Sequence, residues 1–117
     1  LKRKERWFDI IEPILKNNGI PDDFKFLALA ESGFMNAVSP SGAAGYWQFL
    51  EATGTRYGLE ISTEVDERYH VEKATQAACN YFKEAFTVFS DWCLVAASYN
   101  MGIDGISKQL EKQRSDN

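Results

Sequence analysis

The apolar residues of this chain recur at helical spacing rather than at the alternating spacing of strands. The first apolar face belongs to a helix that we predict over about residues 5–17, with Asn18-Gly19 as its C-terminal cap. Its members are Phe8, Ile11, Ile14 and Leu15. No internal repeat, low-complexity tract or linker interrupts the chain. The pattern therefore predicts an all-α fold.

The second predicted helix has a carboxylate on its apolar stripe. The helix begins near residue 22 or 23, where two aspartates suit a helix N-terminus. Its apolar stripe runs through Phe24, Leu27 and Ala28. Three or four residues further on, the same stripe reaches Glu31. An acidic side chain thus occupies a position where a core residue is expected.

Further helices follow a loop-like region at residues 32–45 and a short aromatic segment at 46–50. We predict helices at about 51–57, over about 17 residues from Val71, from a cap at Asp91 to Asn100, and at about 104–113. The buried stripe of the helix from Val71 consists of Val71, Ala74, Ala78, Tyr81, Phe82 and Ala85. The stripe of the helix after Asp91 consists of Trp92, Val95, Ala96 and Tyr99.

Length and charge limit the classes of function. A chain of 117 residues can enclose one hydrophobic core, so we expect a single domain over residues 1–117. The formal net charge of -4 disfavours a nucleic-acid binder that relies on a basic surface. Because His70 is the only histidine, a histidine-based metal site or nucleophile pair has little material, and we expect no metal and no cofactor.

The termini and the cysteines carry less information. No run approaches the roughly 18–20 apolar residues that span a bilayer. Because the chain starts at Leu1 with neither methionine nor a signal core, we expect a fragment of a longer precursor. Cys79 and Cys93 lack the spacing of a zinc or redox site. We predict two small core residues, and a disulfide between them stays open.

Glu31 is a candidate proton donor on its position alone. Partial desolvation disfavours the charged form of a carboxylate, which suits a general acid. The alternative is a structural carboxylate bound to an arginine or to backbone amides, and helical periodicity does not decide between the two.

Three motifs occur around Glu31 in a defined order. They are Glu31-Ser32-Gly33-Phe34, then Ser39-Pro40-Ser41-Gly42-Ala43-Ala44-Gly45-Tyr46-Trp47-Gln48-Phe49, then Ala97-Ser98-Tyr99-Asn100. This ordered set resembles the lytic transglycosylases of glycoside hydrolase family 23, which are related in fold to goose-type lysozyme. The resemblance covers about residues 20–106, and its details are most similar to the membrane-bound D-type branch.

The resemblance implies a lysozyme-like helical domain of about six helices with a substrate cleft, without a cofactor. Glu31 matches the family's catalytic acid and base. Five positions match residues that bind the substrate in this family: Ser32, Ser39, Gln48, Tyr99 and Asn100. Of these, Tyr99 matches the tyrosine that hydrogen-bonds the catalytic glutamate.

Several positions depart from the family pattern. Tyr46 stands where leucine is usual, Ser98 replaces an alanine, and His70-Val71 replaces an Asp-Pro helix start. We assign Trp47 and Phe49 to packing and leave the role of Tyr46 open. His70 is expected to be structural or solvated. Asp66-Glu67-Arg68 is interpreted as a salt-bridged turn rather than a second catalytic pair.

The implied activity is cleavage of peptidoglycan by one glutamate, with 1,6-anhydro-N-acetylmuramic acid as product. Two alternatives stay open: a lysozyme-like hydrolase in which Asp66 or another acid activates water, and a catalytically silent peptidoglycan-binding module. Peptidoglycan strands are the expected partner of a monomer. This substrate implies a periplasmic or cell-envelope location, with a membrane anchor permitted in segments outside the chain.

Overall fold

In the computed structural model of the chain, residues 2–32, 38 and 42–101 are described, with side chains at 6–29, 38 and 42–99. These residues contain five α-helices, two 3-10 turns and two isolated β-bridges, with no strand among them. The all-α prediction is confirmed. The helices are α1 (Lys2–Asn17), α2 (Lys25–Ser32), α3 (Glu51–Arg56), α4 (Val71–Phe89) and α5 (Trp92–Met101), and the 3-10 turns are Asp22–Phe24 and Glu67–Tyr69.

The chain divides into two compact units within α4, one ending at Tyr81 and the other beginning at Phe82. In the first unit, the C-terminus of α1 is closed by two backbone bonds: Gly19 N–H to the Lys16 carbonyl at 3.1 Å, and Ile20 N–H to the Leu15 carbonyl at 3.0 Å. Gly19 has φ 70°, the left-handed conformation that this Schellman motif requires. The predicted end of the helix is confirmed.

Helix α2 is held against α1 by an aromatic contact and by a lysine. The rings of Phe8 and Phe26 meet edge to face at a centroid distance of 5.5 Å. The ammonium of Lys25 donates to Asp22 Oδ2 at 2.7 Å and to Glu12 Oε2 of α1. The hydrogen bond to Asp22, followed by that to Glu12, raises the pKa of Lys25. This network fixes the start of the helix that carries Glu31.

The predicted element boundaries agree with the structure to within a few residues. Helix α1 starts three residues earlier than predicted, and the segment at Asp22 opens as a 3-10 turn before α2. Helix α3 ends one residue earlier than predicted, and α4 starts at Val71 as predicted and runs for 19 residues. The predicted helix at 104–113 lies outside the described residues.

The second unit contains the end of α4 and helix α5. Asp91 Oδ1 accepts the backbone N–H groups of Cys93 at 2.7 Å and Leu94 at 3.2 Å, which confirms the predicted N-terminal cap. Before this cap, Ser90 turns the chain with φ 53°. The rings of Phe86 and Trp92 stack at 4.3 Å.

Two details of the predicted core were wrong in the second unit. Val95 is fully buried as predicted, but Ser98 is fully buried as well, whereas the predicted inward-facing residues Trp92, Ala96 and Tyr99 are half-buried. Ser98 can be buried because its hydroxyl donates to the Val95 carbonyl at 2.7 Å. Cys93, which was predicted to be a core residue, is exposed in the first turn of α5, while Cys79 is buried as predicted; the two thiols do not form a disulfide.

None of the helices within the described ranges combines the length and hydropathy required to span a bilayer.

His70 caps the long helix α4. Its ring Nδ1 accepts the backbone N–H of Lys73 at 3.2 Å, and its carbonyl accepts the N–H of Ala74 at 2.8 Å. The exposed imidazole therefore has a structural role, which is one of the two roles that we expected for it. The Asp-Pro start that it replaces would offer a carboxylate at the same position.

We predict that His70→Asp stabilises the domain by about 0.5–1 kcal/mol. Aspartate is a better N-terminal cap than histidine, and its negative charge interacts favourably with the positive end of the helix dipole. His70→Ala, which keeps no acceptor, should instead lower the free energy of unfolding. Thermal and urea unfolding at neutral pH measure both. Equal stabilities of the aspartate and alanine variants would contradict a capping role.

Candidate active site

The backbone of Glu31 lies in the last turn of α2, three residues after the fully buried Ala28. Helix α2 therefore extends as far as the predicted catalytic glutamate and ends at Ser32. The side chains of Glu31, Ser32 and Asn100, and the whole of Ser39, lie outside the described residues. Their roles and their arrangement around Gln48 and Tyr99 stay predictions.

Gln48 closes a tight turn between two bridged residues. Ala44 N–H donates to the Phe49 carbonyl at 3.0 Å, and the turn between them runs from Gly45 to Gln48. Both the backbone N–H of Gln48, at 3.2 Å, and its side-chain Nε2, at 3.0 Å, donate to the Gly45 carbonyl. The half-buried Gln48 side chain is thus held at the surface of the turn.

The turn contains two residues with positive φ. Gly45 has φ 81°, and a Cβ atom added there would lie 1.9 Å from the carbonyl oxygen of Arg68. Only glycine fits this approach. Gln48 has φ 53°, a conformation that is costly for a residue with a side chain. The close approach at Gly45 and the strained conformation of Gln48 define this turn.

Arg68 ties the turn to the second 3-10 turn. Its Nη1 donates to the Phe49 carbonyl at 3.0 Å and to the Gly42 carbonyl at 3.2 Å, while its own carbonyl accepts the N–H of Tyr46 at 3.3 Å. Arg68 is only 8 % exposed, so these bonds satisfy a guanidinium that has little access to water. One buried side chain therefore holds both ends of the turn.

Asp66 neutralises the buried guanidinium. Its Oδ1 accepts from Arg68 Nε at 2.9 Å and its Oδ2 accepts from Nη2 at 2.7 Å, a two-point pairing. Oδ1 also accepts the backbone N–H of Arg68 at 3.1 Å. The Arg68 hydrogen bond lowers the pKa of Asp66, and the carboxylate raises the pKa of Arg68. The interpretation of Asp66-Glu67-Arg68 as a salt-bridged turn is confirmed, with Glu67 paired to Lys73 at 2.6 Å.

The aromatic residues of the turn are packed into the first unit. The fully buried indole of Trp47 donates from Nε1 to Thr75 Oγ1 of α4 at 3.0 Å, and Phe49 is 4 % exposed. Both assignments to packing are confirmed. Tyr46, whose role was left open, is 7 % exposed and meets the ring of Trp7 at 5.0 Å. Its ring therefore packs between the turn and α1 and does not present an exposed face on which a sugar could stack.

Helix α1 is a common support for the two candidate segments. Trp7 and Phe8 are successive residues of α1, and they contact Tyr46 of the turn and Phe26 of α2. The helix that carries Glu31 and the turn that carries Gln48 are thereby attached to the same element.

Tyr99 lies in the second unit on α5. Its half-buried ring packs edge to face on Phe82 of α4 at 5.7 Å, which orients the side chain. The expected hydrogen bond from Tyr99 to Glu31 stays a prediction. Among the described residues, no group of three or more histidine, cysteine, aspartate or glutamate side chains could hold a metal ion.

A family model described as Transglycosylase SLT domain matches residues 9–117 of the chain. The chain belongs to this family. The chain is also 32% identical over 115 residues to the proteins named membrane-bound lytic murein transglycosylase D from Escherichia coli strain K12 and from Escherichia coli O6:H1. Each comparison covers 97% of this chain and 25% of the relative, so the chain spans a quarter of the length of these proteins.

The SLT match extends beyond the stretch over which the motifs were recognised, and it includes most of α1. Sequence reasoning missed the support that α1 gives, through Trp7, to the turn. It also missed Thr75 as the partner of Trp47, and the two carbonyls that Arg68 binds. A threonine inside the alanine-rich face of α4 was the signal for the first of these partners. The partners of Arg68 had no local signal.

We predict that Gly45→Ala destabilises this SLT domain by about 2–5 kcal/mol, because backbone strain of about 1–2 kcal/mol adds to a steric clash with Arg68. Gly19→Ala is the matched control. Gly19 also has positive φ, but nothing lies within 4 Å of its added Cβ, so strain alone should cost about 1–2 kcal/mol. Urea unfolding measures the difference, and equal losses would show that the contact between Gly45 and Arg68 is not tight.

The pairing of Asp66 also predicts how the stability of the domain depends on pH. Because pairing lowers the pKa of Asp66 below its ordinary value of 3.8, the pair's stabilisation is complete above about pH 5 and is lost as pH falls through the folded-state pKa. Asp66→Asn should cost about 1–3 kcal/mol at neutral pH and should flatten the loss of stability below about pH 4.

Glu67→Gln is the control for this acid response. Its partner Lys73 is more exposed than Arg68, so the variant should have a smaller effect at neutral pH. Urea unfolding at several pH values between 2.5 and 7 supplies the comparison. An unchanged acid limb in Asp66→Asn would exclude the pair as its source.

Proposed function

We propose that this SLT domain is the catalytic part of a lytic transglycosylase that cleaves the glycan strands of peptidoglycan. Membership of the family and the names of the Escherichia coli relatives support this class of activity. The bond broken is the β-1,4 link between N-acetylmuramic acid and N-acetylglucosamine, and the product carries a 1,6-anhydro ring. This substrate places the domain at the cell envelope, outside the cytoplasmic membrane.

The observation that carries the choice of transglycosylase over hydrolase is the pairing of Asp66. A hydrolase of this kind needs a second carboxylate to activate water or attack the sugar. Asp66, the named candidate for that role, directs both oxygens at Arg68, and this pairing lowers its pKa. A carboxylate that is so stabilised is a weak base. Glu31 is therefore the one acid that the motifs supply for proton transfer.

A single glutamate is sufficient when the substrate supplies the nucleophile. Protonated Glu31 donates its proton to the glycosidic oxygen, the bond from that oxygen to the anomeric carbon breaks, and N-acetylglucosamine leaves as an alcohol. The C6 hydroxyl of the same N-acetylmuramic acid then bonds to its anomeric carbon and gives its proton to the Glu31 carboxylate. The glutamate returns to its starting state and no water is consumed.

The other motif residues bind and orient in this proposal. Gln48 offers an amide on a turn that is fixed by Arg68 and Trp47, and a fixed donor loses little entropy when a sugar binds. Tyr99 orients Glu31, with its ring held by Phe82. Ser32, Ser39 and Asn100 complete the contacts to the glycan, as the motif match implies.

We predict that Glu31→Gln folds and binds glycan strands but releases anhydro-muropeptides at least about a thousandfold more slowly, because the amide cannot donate or accept the proton. The assay is digestion of purified sacculi followed by mass spectrometry of the released muropeptides. Glu64→Gln, an exposed acid outside the motifs, is the control and should keep normal activity.

Product mass separates the alternatives. Release of muropeptides about 18 Da heavier, with a reducing end, would identify a hydrolase, because hydrolysis adds one water. Binding of sacculi by the native domain without any turnover would identify a silent binding module. Normal turnover by Glu31→Gln would refute the assignment of the glutamate.

A further inference from the structure

Arg68 contacts the turn of Gln48 on both sides of that residue. Its guanidinium binds the carbonyl of Phe49, the next residue, at 3.0 Å, and its own carbonyl binds the N–H of Tyr46, two residues earlier, at 3.3 Å. A third bond, to the Gly42 carbonyl at 3.2 Å, fixes the segment that enters the turn. Arg68 therefore bonds to the backbone on both sides of Gln48.

Gln48 needs such a restraint because its backbone is strained. With φ 53° it adopts a conformation in which glycine would be free of strain. The bond from its own side chain to the Gly45 carbonyl offsets part of the cost but also occupies part of the amide. A strained non-glycine residue persists only where the surrounding structure imposes its conformation. The three bonds of Arg68 form part of this restraint.

We propose that Arg68, held in place by Asp66, is a positioning residue that sets the Gln48 amide for binding of the glycan strand. The inference rests on the proposed function, in which Gln48 contacts the substrate. Arg68 does not itself touch the sugar: it is 8 % exposed, and its guanidinium faces Asp66 and two backbone carbonyls. Its effect on binding therefore passes through the turn.

A planar guanidinium is required for this role. Its Nε and Nη2 groups pair with the two oxygens of Asp66, which leaves Nη1 directed at the two carbonyls. A lysine ammonium has one nitrogen and cannot hold the carboxylate and both carbonyls in the same geometry. Arg68→Lys thus keeps the charge but releases the turn.

The experiment is a double-mutant cycle on glycan binding, made in the Glu31→Gln background so that the strand is not cleaved. Gln48→Gly removes the amide while suiting the positive φ, and Arg68→Lys loosens the turn. The affinity for peptidoglycan-derived tetrasaccharide of alternating N-acetylglucosamine and N-acetylmuramic acid is measured by calorimetry. We expect each substitution to lower affinity by about three- to tenfold, and the pair together to lower it no more than the larger single effect.

Two variants separate positioning from loss of stability. Leu15→Ala, in the buried face of α1, should destabilise the domain by an amount comparable to the destabilisation by Arg68→Lys. It should leave the glycan affinity of the folded protein unchanged. Asp66→Asn removes the charge that fixes Arg68 without altering the arginine, and it should reproduce the loss of affinity. It also keeps the test decisive if Arg68→Lys does not fold.

The outcomes distinguish this inference from the proposed function. Additive losses for Gln48→Gly and Arg68→Lys, or unchanged affinity in both Arg68→Lys and Asp66→Asn, would overturn the positioning role while leaving the transglycosylase assignment intact. Failure of the unsubstituted domain to bind or cleave glycan would overturn both.

Discussion

The pairing of Asp66 with Arg68 is the interaction on which the candidate site depends. A buried guanidinium is costly unless its charge is matched and its N–H groups are bonded, and here a carboxylate and two backbone carbonyls meet those needs. The same bonds satisfy carbonyls at both ends of the Gly42–Phe49 stretch, which has few regular backbone partners. The charge pair and the turn therefore stabilise each other, and neither is complete without the other.

This mutual dependence also limits the chemistry of the site. A carboxylate can serve as a strong pairing partner or as an effective base, and the pairing that suits Asp66 to the first role makes it poor at the second. In the proposed mechanism, the structural use of this acid leaves the proton transfers to Glu31. A substrate that brings its own hydroxyl nucleophile fits a site with this division of roles, because it removes the need for a second base.

The sequence predicted the helices well because their ends carry local signals. Gly19 after α1, Gly58 after α3 and Asp91 before α5 each act on residues only a few positions away, so a single stretch of sequence contains the whole signal. Burial was predicted less well in short helices. Ser98 is buried and Cys93 is exposed because neighbouring elements decide which face of α5 is covered.

The supports of the candidate site could not be predicted in the same way. Trp47 and Thr75 are 28 positions apart, and Arg68 and Phe49 are 19 positions apart. No propensity or spacing rule links such residues, since their contact depends on how the chain folds back on itself. The motifs nevertheless indicated Gln48 as a candidate contact for the glycan, since a functional residue is constrained by its ligand as well as by its neighbours.

The conformation of Gln48 shows how these two constraints combine. If stability alone governed this position, glycine would serve better, as it does at Gly19 and Gly45, where positive φ is also found. Retention of a side chain at a cost in backbone strain is understandable when the amide has a task that glycine cannot perform. Arg68 then restrains the strained backbone, and Asp66 offsets the free-energy cost of burying the Arg68 charge. In this proposal, the paired charge of Arg68 restrains the backbone of the turn, and the restrained backbone orients the Gln48 side chain for binding of a sugar.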